Sequence, residues 1–234
     1  MKSNNASISV IIPVLNEENS IVKVLHYLRQ NSTPNLIKEI LIVDGGSTDK
    51  TVKIARDNGV SVIHSPKGRA KQMNLGAKNA KGEILYFLHV DTLPPKHFDQ
   101  RILNAIRDKH EVGCFQMRFD SNSRFLKFFA WFSRVNHTLC RGGDQSLFIS
   151  RELFFKARGF NEDYLVYEDN EFIGRLYKKT CFKILPQQVR TSARRYEDRG
   201  IVQLQYHFGI IHLNHYLGAG PEKLYEYYRK NVIV

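Results

Sequence analysis

Apolar positions in the first hundred residues alternate between two patterns. Residues 8–13 form a nearly continuous branched run, as expected of a strand buried on both faces. Ile21, Val24, Leu25 and Leu28 then recur at helical spacing. Asn16 can cap that helix, and Glu17 and Glu18 suit its first turn. The same reading predicts a buried strand over 39–43, a helix over 50–58 that stops at Gly59, and strands over 60–64 and 84–88. A helix over 68–80 separates the last two strands. Pro94-Pro95 opens another helix, with Phe98, Ile102 and Ile106 on its buried face. This order predicts an α/β protein with a mostly parallel central sheet flanked by helices.

The pattern loosens after residue 110. Strands are expected over 112–119, 145–150 and 182–185, a helix over 168–179, and an aromatic-rich stretch over 125–135. No repeat, linker or low-complexity segment interrupts the 234 residues, so the chain reads as one domain. Its parts are an N-terminal half over about 7–110, a second half over about 111–200 and a helical tail over about 201–234.

Ligands of parallel α/β sheets bind beyond the carboxyl ends of the strands. Polar residues crowd those positions here: Asn16 and Glu17, the run from Asp44 to Asp49, and His89 to Asp91. Asp91 is placed to hold a divalent cation against phosphate oxygens, or to serve as a turn aspartate before Pro94. Asp44 can accept a hydrogen bond from a base or ribose, while Gly45-Gly46 makes a turn. Gly68-Arg69-Ala70-Lys71-Gln72-Met73-Asn74 brings Arg69 to a helix start, where guanidinium and backbone amides suit a diphosphate. Glu168, Asp169 and Glu171 open a helix and can supply a general base, or simply complement the helix dipole. Asp144 and Gln145 follow Arg141-Gly142-Gly143 in a substrate-facing loop. Arg194 and Arg195 add two cations suited to phosphate or to solvent.

Bulk properties narrow the classes. The formal charge of +12 favours anionic partners. Three scattered cysteines argue against a disulfide framework or a zinc cluster. The first ten residues lack the features of a signal peptide, and no apolar run approaches the roughly 20 residues that span a bilayer. A cytoplasmic protein is expected, with peripheral contact at the inner membrane face left open.

The ordered motifs resemble the family 2 glycosyltransferases. These are Val10-Ile11-Ile12-Pro13-Val14-Leu15-Asn16-Glu17, Val43-Asp44-Gly45-Gly46-Ser47-Thr48-Asp49 and Glu168-Asp169, and the likeness extends over about residues 7–195. Gly68-Arg69-Ala70-Lys71-Gln72-Met73-Asn74 and Thr191-Ser192-Ala193-Arg194-Arg195 further resemble a small bacterial branch of that family. The resemblance implies the GT-A fold, a nucleotide-diphospho-sugar donor, a hydroxyl acceptor and an inverting displacement. It places Pro13 and Glu17 beside the nucleoside and Asp44 at the base. It makes Asp91 the metal-binding aspartate for Mg²⁺ or Mn²⁺, and Asp169 the catalytic base. His89 stands where the family pattern has the first aspartate of Asp-x-Asp, which removes one negative charge. A histidine there can meet a ribose or ligate a metal.

A sugar-phosphate nucleotidyltransferase is the nearest enzymatic alternative, but the glycine-rich basic loop it needs after the first strand is replaced by Pro13-Val14-Leu15-Asn16-Glu17. A basic nucleic-acid-binding protein is the non-enzymatic one. Its standard motifs are missing and the cations are dispersed, so no nucleic acid is expected. Arg124 to Arg134 is dense in Phe with basic residues at its margins. As a helix it would place Phe125, Phe128, Phe129 and Phe132 on one side, which suits either a membrane surface and a lipid-linked acceptor or aromatic core packing.

Overall fold

The computed structural model describes residues 7–233. Its first half contributes strands β1 (Ile8–Val14), β2 (Ile37–Asp44), β3 (Ser61–His64) and β4 (Ile84–Phe87), with helices α1 (Glu18–Asn31), α2 (Thr51–Asp57) and α3 (Arg69–Asn79) between them. The short β5 (Thr92–Leu93), α4 (Phe98–Arg107), β6 (Val112–Phe119) and α5 (Arg124–Trp131) follow. Next come β7 (Leu147–Ser150), α6 (Arg151–Lys156), α7 (Glu168–Tyr177) and β8 (Lys183–Thr191). The chain then turns through α8 (Arg194–Arg199), α9 (Ile201–Tyr216) and α10 (Pro221–Tyr228).

The strands form one sheet in the order β3-β2-β1-β4-β7-β6-β8-β5. Pairing is parallel from β3 to β4 and between β6 and β8, and antiparallel where β7 and β5 join. β1 alternates its side chains between two cores. Ile8, Val10 and Ile12 pack with Ile21, Leu25, Phe98 and Ile102 on one face. Ile11 packs with Met73, Ala77, Phe172 and Leu176 on the other. A central strand covered on both sides needs apolar residues at successive positions, which is why its run hardly alternates. The face predicted for α1 is the buried one. Helix α3 lies close to the sheet, because Gly76 presents no Cβ to Ile11 and Val43.

Three features depart from the sequence reading. Asn16 does not cap α1. It adopts a left-handed φ of 55°, and its Oδ1 accepts from the Thr48 backbone N–H at 2.8 Å. The strand expected over 182–185 continues to Thr191, because β6 offers an edge that pairs with it in parallel after a register shift at Phe115/Gln116. Thr92–Leu93 forms a short strand against the end of β8. Local sequence carries no signal for the last two, since β8 pairs with a strand about seventy residues before it and β5 with one about a hundred residues after it.

Candidate functional site

Register brings the carboxyl ends of β1, β2 and β4 together, with Val14 beside Asp44 and Ile11 beside Phe87. On the far side, Phe119, Thr191 and Thr92 align across β6, β8 and β5, and the Ser192 N–H donates to the Asp91 carbonyl at 3.2 Å. These two sets of strand ends flank a cavity of about 740 Å³. Pro13, Glu17, Arg69, His89, Asp91, Asp144, Gln145, Glu168, Asp169, Arg194 and Arg195 all line it. The sequence motifs from both halves therefore meet in one place.

At its centre the start of α7 faces the start of α3. Glu168 is buried and accepts from Arg69 Nη1 at 3.3 Å, whereas Asp169 Oδ2 lies 4.0 Å from the same nitrogen. Burial, and then the neighbouring Asp169 charge, push the Glu168 carboxyl up to about 7, against the pull of Arg69. Burial works against the Arg69 charge, but Glu168, Asp169 and Asp144 outweigh it and keep the guanidinium protonated. Glu171, the third acid of this helix start, pairs with Arg175 at 2.6 Å and is absent from the cavity wall.

His89 sits between two carboxylates. Its Nδ1 is 3.3 Å from Asp144 Oδ1, and its Nε2 is 3.9 Å from Asp169 Oδ2. Burial and Arg69 oppose its charge. The Asp144 hydrogen bond and the Asp169 charge prevail, so its pKa lies above the ordinary histidine value. Burial alone would raise the Asp144 carboxyl, yet His89 and the two arginines, Arg69 and Arg195, hold it below the usual range.

Across the cavity Arg194 Nη2 lies 3.8 Å from Glu17 Oε2, joining the loop after β1 to the segment after β8. Burial raises the Glu17 pKa, Ser20 and Arg194 lower it, and the Asp91 charge adds to the rise. The Asp91 carboxylate makes no hydrogen bond or ion pair among the described residues. Nor is any group of three or more His, Cys, Asp or Glu side chains gathered there to hold a metal. A lone, partly accessible carboxylate fits a hard cation of the Mg²⁺ kind, which typically takes one or two carboxylates and completes its shell with phosphate and water oxygens. It does not fit an all-protein metal cage.

Two predicted residues have other partners. Asp44 is buried and is not among the residues lining the cavity. Its carboxylate accepts from the Gly46 and Ser47 N–H groups at 3.1 Å and approaches His64 Nδ1 at 3.3 Å. Burial would raise its pKa, but the donors from Ser47, Gly46 and His64 lower it. The turn expected there is present. Gln145 borders the cavity but is spent internally: Oε1 accepts from Arg141 Nη1, and Nε2 donates to the Cys140 carbonyl at 2.6 Å. Arg141 also donates to the Ser133 and Val135 carbonyls, so the loop expected to face substrate is pinned by a buried guanidinium. In the same way Gln72 bonds the Val14 and Val43 carbonyls and Asn74 bonds Phe160, leaving Arg69 as the cation of its motif on the cavity wall.

The sequence reading missed the tail's contribution. Phe208, His212 and Tyr228 line the cavity, and Arg195 donates to the Tyr228 hydroxyl at 2.8 Å. Tyr167, immediately before Glu168, meets His212 Nδ1 at 2.9 Å through its hydroxyl. The only sequence signal was the aromatic density between Tyr206 and Tyr228.

An acidic and basic crevice at the carboxyl ends of the parallel strands of a mixed, helix-flanked sheet defines the protein as an α/β protein with a strand-end site. The chain belongs to Glycosyl transferase family 2, which matches residues 9–183. It is 34% identical over 113 residues to Glycosyltransferase AglE of Haloferax volcanii, covering 45% of this chain and 37% of that one. It is also 34% identical over 99 residues to the Dolichyl N-acetyl-alpha-D-glucosaminyl phosphate 3-beta-D-2,3-diacetamido-2,3-dideoxy-beta-D-glucuronosyltransferase of Methanococcus voltae, covering 39% and 31%. Among solved structures, S. aureus TarS 1–349 in complex with UDP superposes with a TM-score of 0.65 at 21% identity, over 80% of this chain and 60% of that one. The fold is thus of the GT-A type. The chain spans between a fifth and about two fifths of the length of the first curated relatives it matches.

Proposed function

We propose that the protein is an inverting glycosyltransferase that moves a sugar from a nucleotide-diphospho-sugar to a hydroxyl acceptor. The observation that carries this reading is the convergence of Asp169, Asp91, Arg69, Arg194 and Arg195 on one cavity at the strand ends. Family membership and a fold neighbour solved with UDP support the donor class. Pro13 and Glu17 border the nucleoside, and Asp44 acts from behind the cavity wall by holding the adjoining turn through Gly46 and Ser47. Residues 7–110 act as the donor-binding half and residues 111–200 as the acceptor and catalytic half of one domain.

In the reaction the acceptor hydroxyl oxygen attacks the anomeric carbon from the face opposite the diphosphate. Its proton passes to Asp169, and the bond to the phosphate oxygen breaks with its electron pair on the departing nucleoside diphosphate. Arg69, Arg194 and Arg195 stabilise the developing charge of the leaving group. Mg²⁺ or Mn²⁺ held by Asp91 would add positive charge against the same oxygens. His89, lying between Asp144 and Asp169, positions the base and the loop that carries Asp144. Glu168 is engaged by Arg69, so it is placed to orient that arginine rather than to reach an acceptor. The acceptor is lipid-linked, a reading supported by the dolichyl compound in one relative's name. No helix among the described residues is long and apolar enough to cross a membrane.

Asp169→Asn keeps the side chain's shape and removes its basicity. Donor affinity by calorimetry should persist while transfer falls by roughly 10²–10⁴. Near-normal turnover would remove Asp169 from this role. Asp91→Ala should abolish any gain in donor affinity from Mg²⁺ or Mn²⁺; an unchanged gain would place the metal elsewhere.

A further inference from the structure

Helix α5 turns only a narrow stripe inward. Leu126 and Ala130, one turn apart, are buried, and Leu126 packs with Tyr196, Leu204 and Val232. The remaining aromatic residues of this segment form a connected cluster outside. Ring centroids are 4.8 Å apart for Phe125 and Phe129, 5.5 Å for Phe128 and Phe129, 5.2 Å for Phe128 and Phe132, and 5.5 Å for Trp131 and Phe132. Phe128 is 59% and Trp131 52% exposed. Core packing, one of the two readings of this segment, therefore holds for Leu126 and Ala130 and not for the aromatic side chains.

Two further properties suggest what covers the cluster. It is continuous with the cavity, because Phe129 and Phe132 also line the cavity, as does Leu139, which is 60% exposed. Its surroundings are basic: from residue 121 to 143 there is no Asp or Glu, while Arg124, Lys127 and Arg134 are all exposed. Aromatic side chains with cations at their margin match the boundary between acyl chains and anionic headgroups.

We propose that the α5 aromatic ledge seats the protein on an anionic lipid surface. An acceptor's apolar chain would then run from the bilayer over Phe132 and Leu139 into the cavity, bringing its hydroxyl toward Asp169. This rests on the lipid-linked acceptor proposed above, but seating on the surface is measurable without donor or acceptor.

The test is flotation of the purified chain with vesicles of equal parts phosphatidylglycerol and phosphatidylcholine, against phosphatidylcholine alone. Wild-type protein should float with the anionic vesicles and much less with the neutral ones. Phe128→Ser combined with Trp131→Ser should abolish flotation. Lys127→Glu should reduce the partition coefficient by about fivefold or more, since each basic residue near such a surface contributes about that factor. Circular dichroism melts should coincide for all three proteins, because the altered side chains are exposed. Wild-type protein that stays with the soluble fraction, double-variant protein that floats as well as wild type, or equal flotation on both vesicles would each overturn the proposal. Calorimetric binding of a UDP-sugar series to the same samples reports on the glycosyltransferase reading separately. Flotation without donor binding would count against that reading and leave the surface intact.

Discussion

A Cβ built on Gly143 would run into the Asp169 carboxylate and come within 2.7 Å of His89 Cε1. No side chain fits at this position while Asp169 and His89 keep their places. Gly143→Ala should therefore cut transfer by an order of magnitude or more, as small displacements of catalytic groups do. Donor affinity and thermal midpoint should change far less, because the clash falls on cavity side chains rather than on the core. Steady-state kinetics beside a melting curve checks this, and wild-type turnover would mean that Asp169 tolerates the shift. Gly143 reads in the sequence only as part of a substrate-facing loop. Its meaning lies in two residues from other elements, which no local pattern reveals.

Among the elements, α3 is the most tightly specified. Gln72 ties its first turn to the carbonyls that end β1 and β2, and Asn74 ties its middle to the loop at Phe160. Gly76 lets it approach the sheet: an added Cβ would lie 2.5 Å from Ile11 Cγ2 and 3.0 Å from Val43 Cγ2. Gly76→Ala raises helix propensity yet overpacks the core, so a net loss of about 1–3 kcal/mol is expected in urea unfolding. A neutral or stabilising outcome would show that the helix can lift off the sheet without cost. Arg69 keeps its place facing Glu168 because Gln72 and Asn74 of its motif are committed to the scaffold. The motif thus reads as ligand-binding in the sequence but is divided by the fold between one ligand-facing cation and several clamps.

At the scale of the whole molecule, Glu168 lies where the two halves meet, with Arg69 from α3 facing it and Asp169 and His89 nearby. Its folded pKa of about 7 exceeds the ordinary value of 4.5, so folding favours its protonated form. Its contribution to stability is then fully present below about pH 4.5 and lost as pH rises through about 7. Urea midpoints at about pH 5 and about pH 8 should fall more for the wild type than for Glu168→Gln, which has no proton to lose. Equal falls in the two proteins would mean that Glu168 titrates normally in the fold.

The sequence by itself determined the βαβα half, the burial of its strands and the cluster of polar residues at their ends. These are local matters: period, a helix-stopping glycine such as Gly59, and the position of a carboxylate after an apolar run. It also marked Asp91, Arg69, His89 and Asp169 as chemical groups. Only the tertiary structure decided that Glu168 is buried against Arg69 while Asp169 stays more accessible beside His89, since adjacent residues at a helix start are sorted by what packs above them. It likewise turned Gln145 inward, brought Tyr228 and His212 into the cavity wall, and left Phe128 and Trp131 outside. An aromatic helix of this density is ambiguous until its neighbours are known. Burial depends on the area those neighbours can cover, and α9 and the C-terminal turn cover one stripe of α5.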